Sequence, residues 1–279
     1  MSIIQGEYNA PSRADLARLY GELENNYFGD DRQEKDEIEH FRQVIRGAKV
    51  FVDVGASLGQ YACLANEVML AGEIFCLEAD PLRFNRLTEL CRQWQAKSRN
   101  RLTPCLAAVC ERDGSTPFFV ANANVSGGLF LERETESVAR DYAWQKIEVP
   151  CVRLDTLLAG KIPDLVKIDV EGAECRVLDG AERLIAQRKT RFFVEVHPWG
   201  DSPYHKCPKD VFRCFLRRGY TFRRLGRRWL FEPGRPGVFT YLYSLVFVPV
   251  ADFVLRHKPI RRIAKAIASW FDRVPRSNA

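Results

Sequence analysis

One stretch constrains this chain more than any other: IPDLVKIDVEGAECRVLDG, Ile162 to Gly180, where a short apolar strand runs into a knot of charge and then a helix. Leu165, Val166, Ile168 and Val170 are mostly β-branched, the pattern of a strand buried on both faces, and such strands belong to parallel sheets covered by helices on either side. Ligands in open α/β sheets sit at the carboxyl ends of the strands, which is where Asp169 falls. Glu171 and Glu174 have a second explanation, since acids are favoured at a helix start by the helix dipole. Glu174, about a turn further on, fits the helix start better than chemistry.

The rest of the chain can be placed around this stretch. Leu16, Leu19 and Leu23, and then Ile38, Phe41, Val44 and Ile45, recur at helical spacing and predict two helices within residues 12–46. Strands are expected at Lys49–Val54, Glu73–Leu77, Leu102–Val109, the opening stretch and Arg191–Val196, with helices at Gln60–Leu70, from Pro81 onward and at Lys209–Arg218. Further β-prone segments lie at Tyr220–Arg224, Trp229–Phe231 and Phe239–Val248. Strand–helix alternation of this kind predicts a doubly wound parallel sheet. With 279 residues, one large α/β domain with appendages is expected: a helical cap over 1–46, the main domain over 47–250 and a basic amphipathic helix over 251–279. Short β-prone pieces at Pro117–Val120 and Ile147–Val152 flank an irregular polar segment.

Charge is unevenly spread. Residues 209–279 hold 16 Lys and Arg against 4 Asp and Glu, in a chain whose net charge is +6. Such a tail suits an anionic membrane surface or an anionic substrate, or is simply a solvated face. The nine cysteines are odd in number and include no CxxC pair, which disfavours a disulfide framework or a structural zinc site. The N-terminus lacks the pattern of a secretory signal, and no apolar run reaches the roughly 20 residues that span a bilayer. A cytoplasmic protein is expected, with peripheral membrane contact through the basic tail as an option.

The turn Asp53-Val54-Gly55-Ala56-Ser57-Leu58-Gly59 is the first chemical signal. Its Gly-x-x-x-Gly spacing departs from the G-x-G-x-x-G dinucleotide fingerprint, and an acid before the first glycine would repel a pyrophosphate. It would favour a ligand with ammonium and sulfonium charges, as in S-adenosylmethionine, with the glycines admitting that ligand close to the backbone. Glu78, ending the second strand, is placed to accept ribose hydroxyl protons. Together these predict a cofactor site of Asp53, Gly55, Ala56, Ser57, Gly59 and Glu78.

Methyl transfer to a hydroxyl needs positioning and removal of a proton. Asp169, Glu195 and His197 lie at predicted strand ends and are the candidate catalytic residues. An imidazole titrating near neutrality suits His197 to base chemistry, against the alternative of a turn-shaping residue before Pro198. The three also have the chemistry of a divalent-cation site, though no metal is assigned to them.

The blocks VFVDVGASLGQYACLA, CLEADP, VRLDTLL, IPDLVKIDVEGAECRVLDGAE and FFVEVHP occur in order and resemble the FkbM family of S-adenosylmethionine-dependent methyltransferases over about residues 36–200. The resemblance implies a class I methyltransferase (Rossmann-like) α/β fold: a seven-stranded sheet, its last strand antiparallel, with helices on both faces. It also implies O-methylation of sugars, glycoconjugates or related natural products. Asp53, Gly55, Ala56 and Gly59 match the family's cofactor loop and Glu78 its ribose acid. Asp169, Glu171 and Gly172 match its IDVEGAE hallmark, and Glu195 and His197 its later strand end. Ser57 stands where the family usually has Asn, which implies a retuned loop with the cofactor still bound. The expected partner is a hydroxyl-bearing small molecule or glycan. The alternatives are a non-catalytic cofactor-binding or membrane-surface scaffold and an NAD-linked oxidoreductase, and nucleic acid is disfavoured as a substrate.

Overall fold

A computed structural model describes residues 32–120, 145–197 and 208–237. Seven strands form the main sheet: β1 (Val50–Val54), β2 (Glu73–Glu78), β3 (Arg101–Leu106), β7 (Leu165–Ile168), β8 (Arg191–Glu195), β9 (Tyr220–Leu225) and β10 (Arg228–Pro233). Their order is β3-β2-β1-β7-β8-β10-β9. Strands β3, β2, β1, β7 and β8 pair in parallel, and β10 runs antiparallel to both of its neighbours. The last strand therefore slots between β8 and β9, the arrangement expected of a class I methyltransferase fold.

The buried strand faces alternate as period-2 geometry requires. Val52, Val54, Val166, Ile168, Phe192 and Val194 join one core, packed by α4 (Leu154–Leu157), α5 (Glu174–Asp179), α6 (Glu182–Ala186) and α7 (Pro208–Arg217). Phe51, Leu165 and Phe193 face the other core, covered by α1 (Arg32–Ile45), α2 (Gln60–Val68) and α3 (Pro81–Gln95). In α1 the predicted stripe of Ile38, Phe41, Val44 and Ile45 is buried, and Phe41 meets Phe51, Tyr61 and Phe193 with ring centroids 4.8–5.8 Å apart. Full burial of each such ring contributes about 2–3 kcal/mol, which fastens α1 to the sheet. Asp80 caps α3, accepting from Leu82 N at 2.8 Å, and Pro81 takes the first turn, where its missing N–H costs nothing.

One expectation needs correction. The third strand does not continue from Leu102 to Val109. Ala107 N donates to Glu78 O at 3.0 Å, after which the chain leaves the main sheet as β4 (Ala108–Val109). The two flanking β-prone pieces are strands, as their composition indicated, and they pair with each other: β5 (Gly114–Val120) runs antiparallel to β6 (Gln145–Val152), and β4 pairs parallel with β6, giving a second, three-stranded sheet. Single-strand patterns cannot reveal such pairing, because partner choice is set by non-local packing.

The first predicted helix, residues 122–136, residues 199–207, the segment 239–248 and the basic helix over 251–279 lie outside the described residues. Among the described residues no helix is long and apolar enough to cross a membrane, and every cysteine is free.

Candidate functional site

The strand ends build the site. Strands β1, β2, β7 and β8 terminate along one edge of the sheet, and the antiparallel β10 begins there, with Arg228 opposite Glu195. A cavity of about 500 Å³ lined by Asp155, Thr156, Lys161, Arg183 and Gln187 opens at the other, amino edge and contains none of the predicted residues.

The loop after β1 is tied down by its own backbone. Gly55 N and Ala56 N donate to Leu77 O at 3.0 and 2.9 Å, and Gly59 N to Ala56 O at 2.8 Å. Ser57 N donates to Glu78 Oε2 at 2.7 Å. Four amides are thus engaged within the protein, which leaves the loop poorly equipped to cradle a pyrophosphate. The glycines serve packing here as well. A Cβ on Gly55 would lie 1.9 Å from Asp169 O, and one on Gly59 would lie 2.8 Å from Leu87 Cδ1. Both adopt positive φ, and so does Ser57 at 51°, a left-handed position where non-glycine residues are uncommon. The Ser57 hydroxyl accepts from Arg83 Nη1 at 2.7 Å.

Asp53 is fully buried, and its Oδ1 lies 3.1 Å from Lys167 Nζ. Burial is the largest influence on its carboxyl and raises its pKa, with the Lys167 ammonium opposing that rise. Asp53 therefore faces an internal cation, not a ligand's ammonium as the sequence suggested. Lys167 also donates to Gly55 O at 2.8 Å and lies 3.6 Å from Asp169 Oδ2. Burial works to lower the lysine's pKa, but Asp53 and Asp169 outweigh it and the net direction is upward.

Glu78 is 7% exposed. Besides Ser57 N, it accepts from Asp80 N at 2.8 Å through Oε1. An ionised carboxylate has about four acceptor positions, so two remain for hydroxyl donors. Burial is the main cause of its raised pKa, and the two backbone N–H groups resist it.

Asp169, Glu195 and His197 come together as their strand-end positions predicted, with ligand atoms within 4.8 Å of one another. His197 Nε2 lies 3.4 Å from Glu171 Oε2, 3.8 Å from Glu195 Oε1 and 4.0 Å from Asp169 Oδ1. Its Nδ1 is bonded to Glu174 Oε1 at 2.6 Å. The buried Glu174 also accepts from Gly172 N at 3.0 Å, so it both braces the turn and fixes the imidazole, a role the helix-start reading missed. Burial by itself would lower the His197 pKa, but the Glu174 hydrogen bond and the surrounding carboxylates carry it up to about 9. The imidazole is therefore protonated near neutrality in this state, not poised as a base. Burial, followed by the charge of Asp169, pushes Glu195 up to about 7.

Three further residues were invisible from the sequence. Arg228 Nη2 bridges Asp169 Oδ2 and Glu195 Oε2, each at 2.7 Å. Its Nη1 bonds Tyr61 OH at 2.7 Å and pairs with Glu37, and the guanidinium lies 4.7 Å from the centre of the Tyr61 ring. Tyr61 OH donates to Glu37 Oε1 at 2.5 Å. Helix α1 thus reaches the site through Glu37.

Residues 53–222 match the family described as Methyltransferase FkbM domain. The chain belongs to the FkbM methyltransferase family. It is 26% identical over 186 residues to the hexuronic acid methyltransferase AglP of Haloferax volcanii, covering 65% of this chain and 67% of that protein. Among solved structures, it is similar to the FkbM methyltransferase of Methylobacillus flagellatus KT, with 14% identity and a TM-score of 0.45. That match takes in 78% of this chain but only 59% of the Methylobacillus chain. It is likewise similar to the tRNA methyltransferase TrmK of B. subtilis, with 10% identity, 87% and 89% of the two chains covered, and a TM-score of 0.45.

Proposed function

We propose that this FkbM family member is an S-adenosylmethionine-dependent O-methyltransferase acting on a hydroxyl of a sugar or glycoconjugate. The observation that carries the reading is the convergence of Asp169, Glu195 and His197 on the strand edge whose neighbouring loop packs, through Gly55, against the Asp169 backbone. Donor loop and acceptor groups are then parts of one wall. The hexuronic acid relative supports a sugar as the acceptor.

When bound, S-adenosylmethionine supplies a methyl group already activated by sulfonium charge. Ala56, Ser57 and Glu78 would hold it, Glu78 through the two acceptor positions that its backbone bonds leave, while Gly55 and Gly59 shape the loop. Asp53 acts one layer below, holding Lys167 against Gly55 O. On the acceptor side, removal of the hydroxyl proton falls to the carboxylates of Asp169 and Glu195, and the His197 imidazolium orients them. Arg228 keeps both carboxylates aimed at the same point, and positioning of that kind is most of what such a transfer requires.

Incubation with methyl-labelled S-adenosylmethionine and glycans rich in neutral sugars or hexuronic acids tests the reading. Label that survives alkali is expected, as in a methyl ether. Base-labile label would mark a carboxylate acceptor and overturn the hydroxyl assignment. Cofactor binding with no transfer to any acceptor would favour the scaffold reading.

A further inference from the structure

We propose that Asp169 Oδ1, Glu195 Oε1 and His197 Nε2 form a binding site for one divalent cation. Each of the three residues is held from behind through its other polar atom. Arg228 Nη2 takes Asp169 Oδ2 and Glu195 Oε2, and Glu174 takes His197 Nδ1. Outer partners of this kind are what orient metal ligands and fix the histidine tautomer.

The independent pointer to a ligand is the imidazole itself. The His197 side chain is 8% exposed, yet among the described residues its Nε2 has no acceptor closer than Glu171 Oε2 at 3.4 Å. A ring nitrogen that faces three carboxylate oxygens at 3.4–4.0 Å is placed to share a cation with them. A proton supplies one, and a metal ion supplies two charges. Charge balance favours the metal. Asp169, Glu171, Glu174 and Glu195 crowd around one histidine, while the nearby cations among the described residues are already matched by further acids, Arg228 by Glu37, Lys167 by Asp53 and Arg83 by Asp80. A divalent ion offsets the excess that remains.

Two carboxylate oxygens and an imidazole suit magnesium or manganese, with zinc also compatible. The 3.8 and 4.0 Å separations from Nε2 exceed the spacing of about 3 Å between adjacent ligands of an ion with bonds of ~2.1 Å. Binding therefore draws the side chains together by about 1 Å, which Asp169 and Glu195, at 21% and 25% exposure, have room to do. The role of the ion, though not its existence, rests on the methyl-transfer reading: it would accept the acceptor's hydroxyl oxygen and ease loss of its proton.

The test is titration of the metal-free full-length chain with Mn²⁺, followed by calorimetry and by the electron paramagnetic resonance of free Mn²⁺. One ion per chain is expected. His197→Gln and Asp169→Asn should each weaken binding by at least about tenfold, with far-ultraviolet circular dichroism unchanged, and Glu195→Gln serves as a third variant. No binding to the wild-type chain at millimolar Mn²⁺, or isotherms unchanged in all three variants, overturns the site. The titration contains neither methyl donor nor acceptor, so its failure is distinguishable from failure of the methyl-transfer reading.

Discussion

Lys167 and Asp53 stand directly opposite each other on adjacent parallel strands, ammonium to carboxylate at 3.1 Å, with neither side chain more than 3% exposed. The pair locks β1 to β7 immediately beneath the candidate site, and Lys167 carries the lock upward to Gly55 O.

Breaking that pair from one side should be costly. Lys167→Met and Asp53→Asn each leave a buried charge without its partner, and each should lose about 3–5 kcal/mol. The double variant removes both charges and should recover most of the loss. Urea unfolding of the four proteins measures this as a double-mutant cycle, and additive losses would show that the two residues act separately.

Gly55→Ala should disrupt the site out of proportion to its size. The new methyl would meet Asp169 O at 1.9 Å, forcing the cofactor loop away from the β7 tip. We expect S-adenosylmethionine affinity to fall at least about tenfold by calorimetry. Gly47→Ala is the control, because its Cβ meets nothing within 4 Å. It should cost only the 1–2 kcal/mol or so of a left-handed backbone, with affinity unchanged.

Glu78→Ala should weaken S-adenosylmethionine binding by about tenfold or more, since it removes both the remaining acceptor positions and the anchor of Ser57 N. Glu78→Gln retains one carbonyl oxygen and should fall between. Wild-type affinity in both variants would remove Glu78 from the ribose assignment.

The state of His197 predicts a pH dependence in the metal-free chain with a chelator present. Its pKa is raised from 6.5 to about 9, so the stability it contributes is complete below pH 6.5 and is lost as the pH rises toward 9. The loss should be on the order of 3 kcal/mol. Glu174→Gln removes the strongest partner and should lower the imidazole pKa, followed by NMR, and flatten the stability profile between pH 6.5 and 9.

The succession of strands and helices along the main sheet and the placing of Asp169, Glu195 and His197 at strand ends were legible because each depends on local pattern: a buried run, a strand tip, a turn. The Asp53–Lys167 pair was half legible. A lysine inside a strand buried on both faces requires a buried acid nearby, and the neighbouring parallel strand offers one in register. Arg228 carried no such signal. It is one arginine in a basic tail, and only the hairpin closed at Gly226 brings it opposite Glu195. Glu37 was hidden for the same reason, since its helix periodicity reports packing but says nothing of a side chain reaching across to β10. Glu174 was misjudged because an acid at a helix start explains itself locally, so its second bond, to His197, added nothing visible to the pattern.

The placement of Arg228 has a consequence for how the molecule is made. This guanidinium closes contacts to Asp169, 59 residues earlier, and to Tyr61, 167 residues earlier. Chains emerge from the ribosome amino end first, so Glu37, Tyr61, Asp169 and Glu195 are all synthesised before the cation that joins them. Until β10 leaves the exit tunnel the carboxylates of the site repel one another with no guanidinium between them. A nascent chain can thus complete the β1–β7 half of its sheet early, but it becomes competent at the acceptor side only once β10 has emerged.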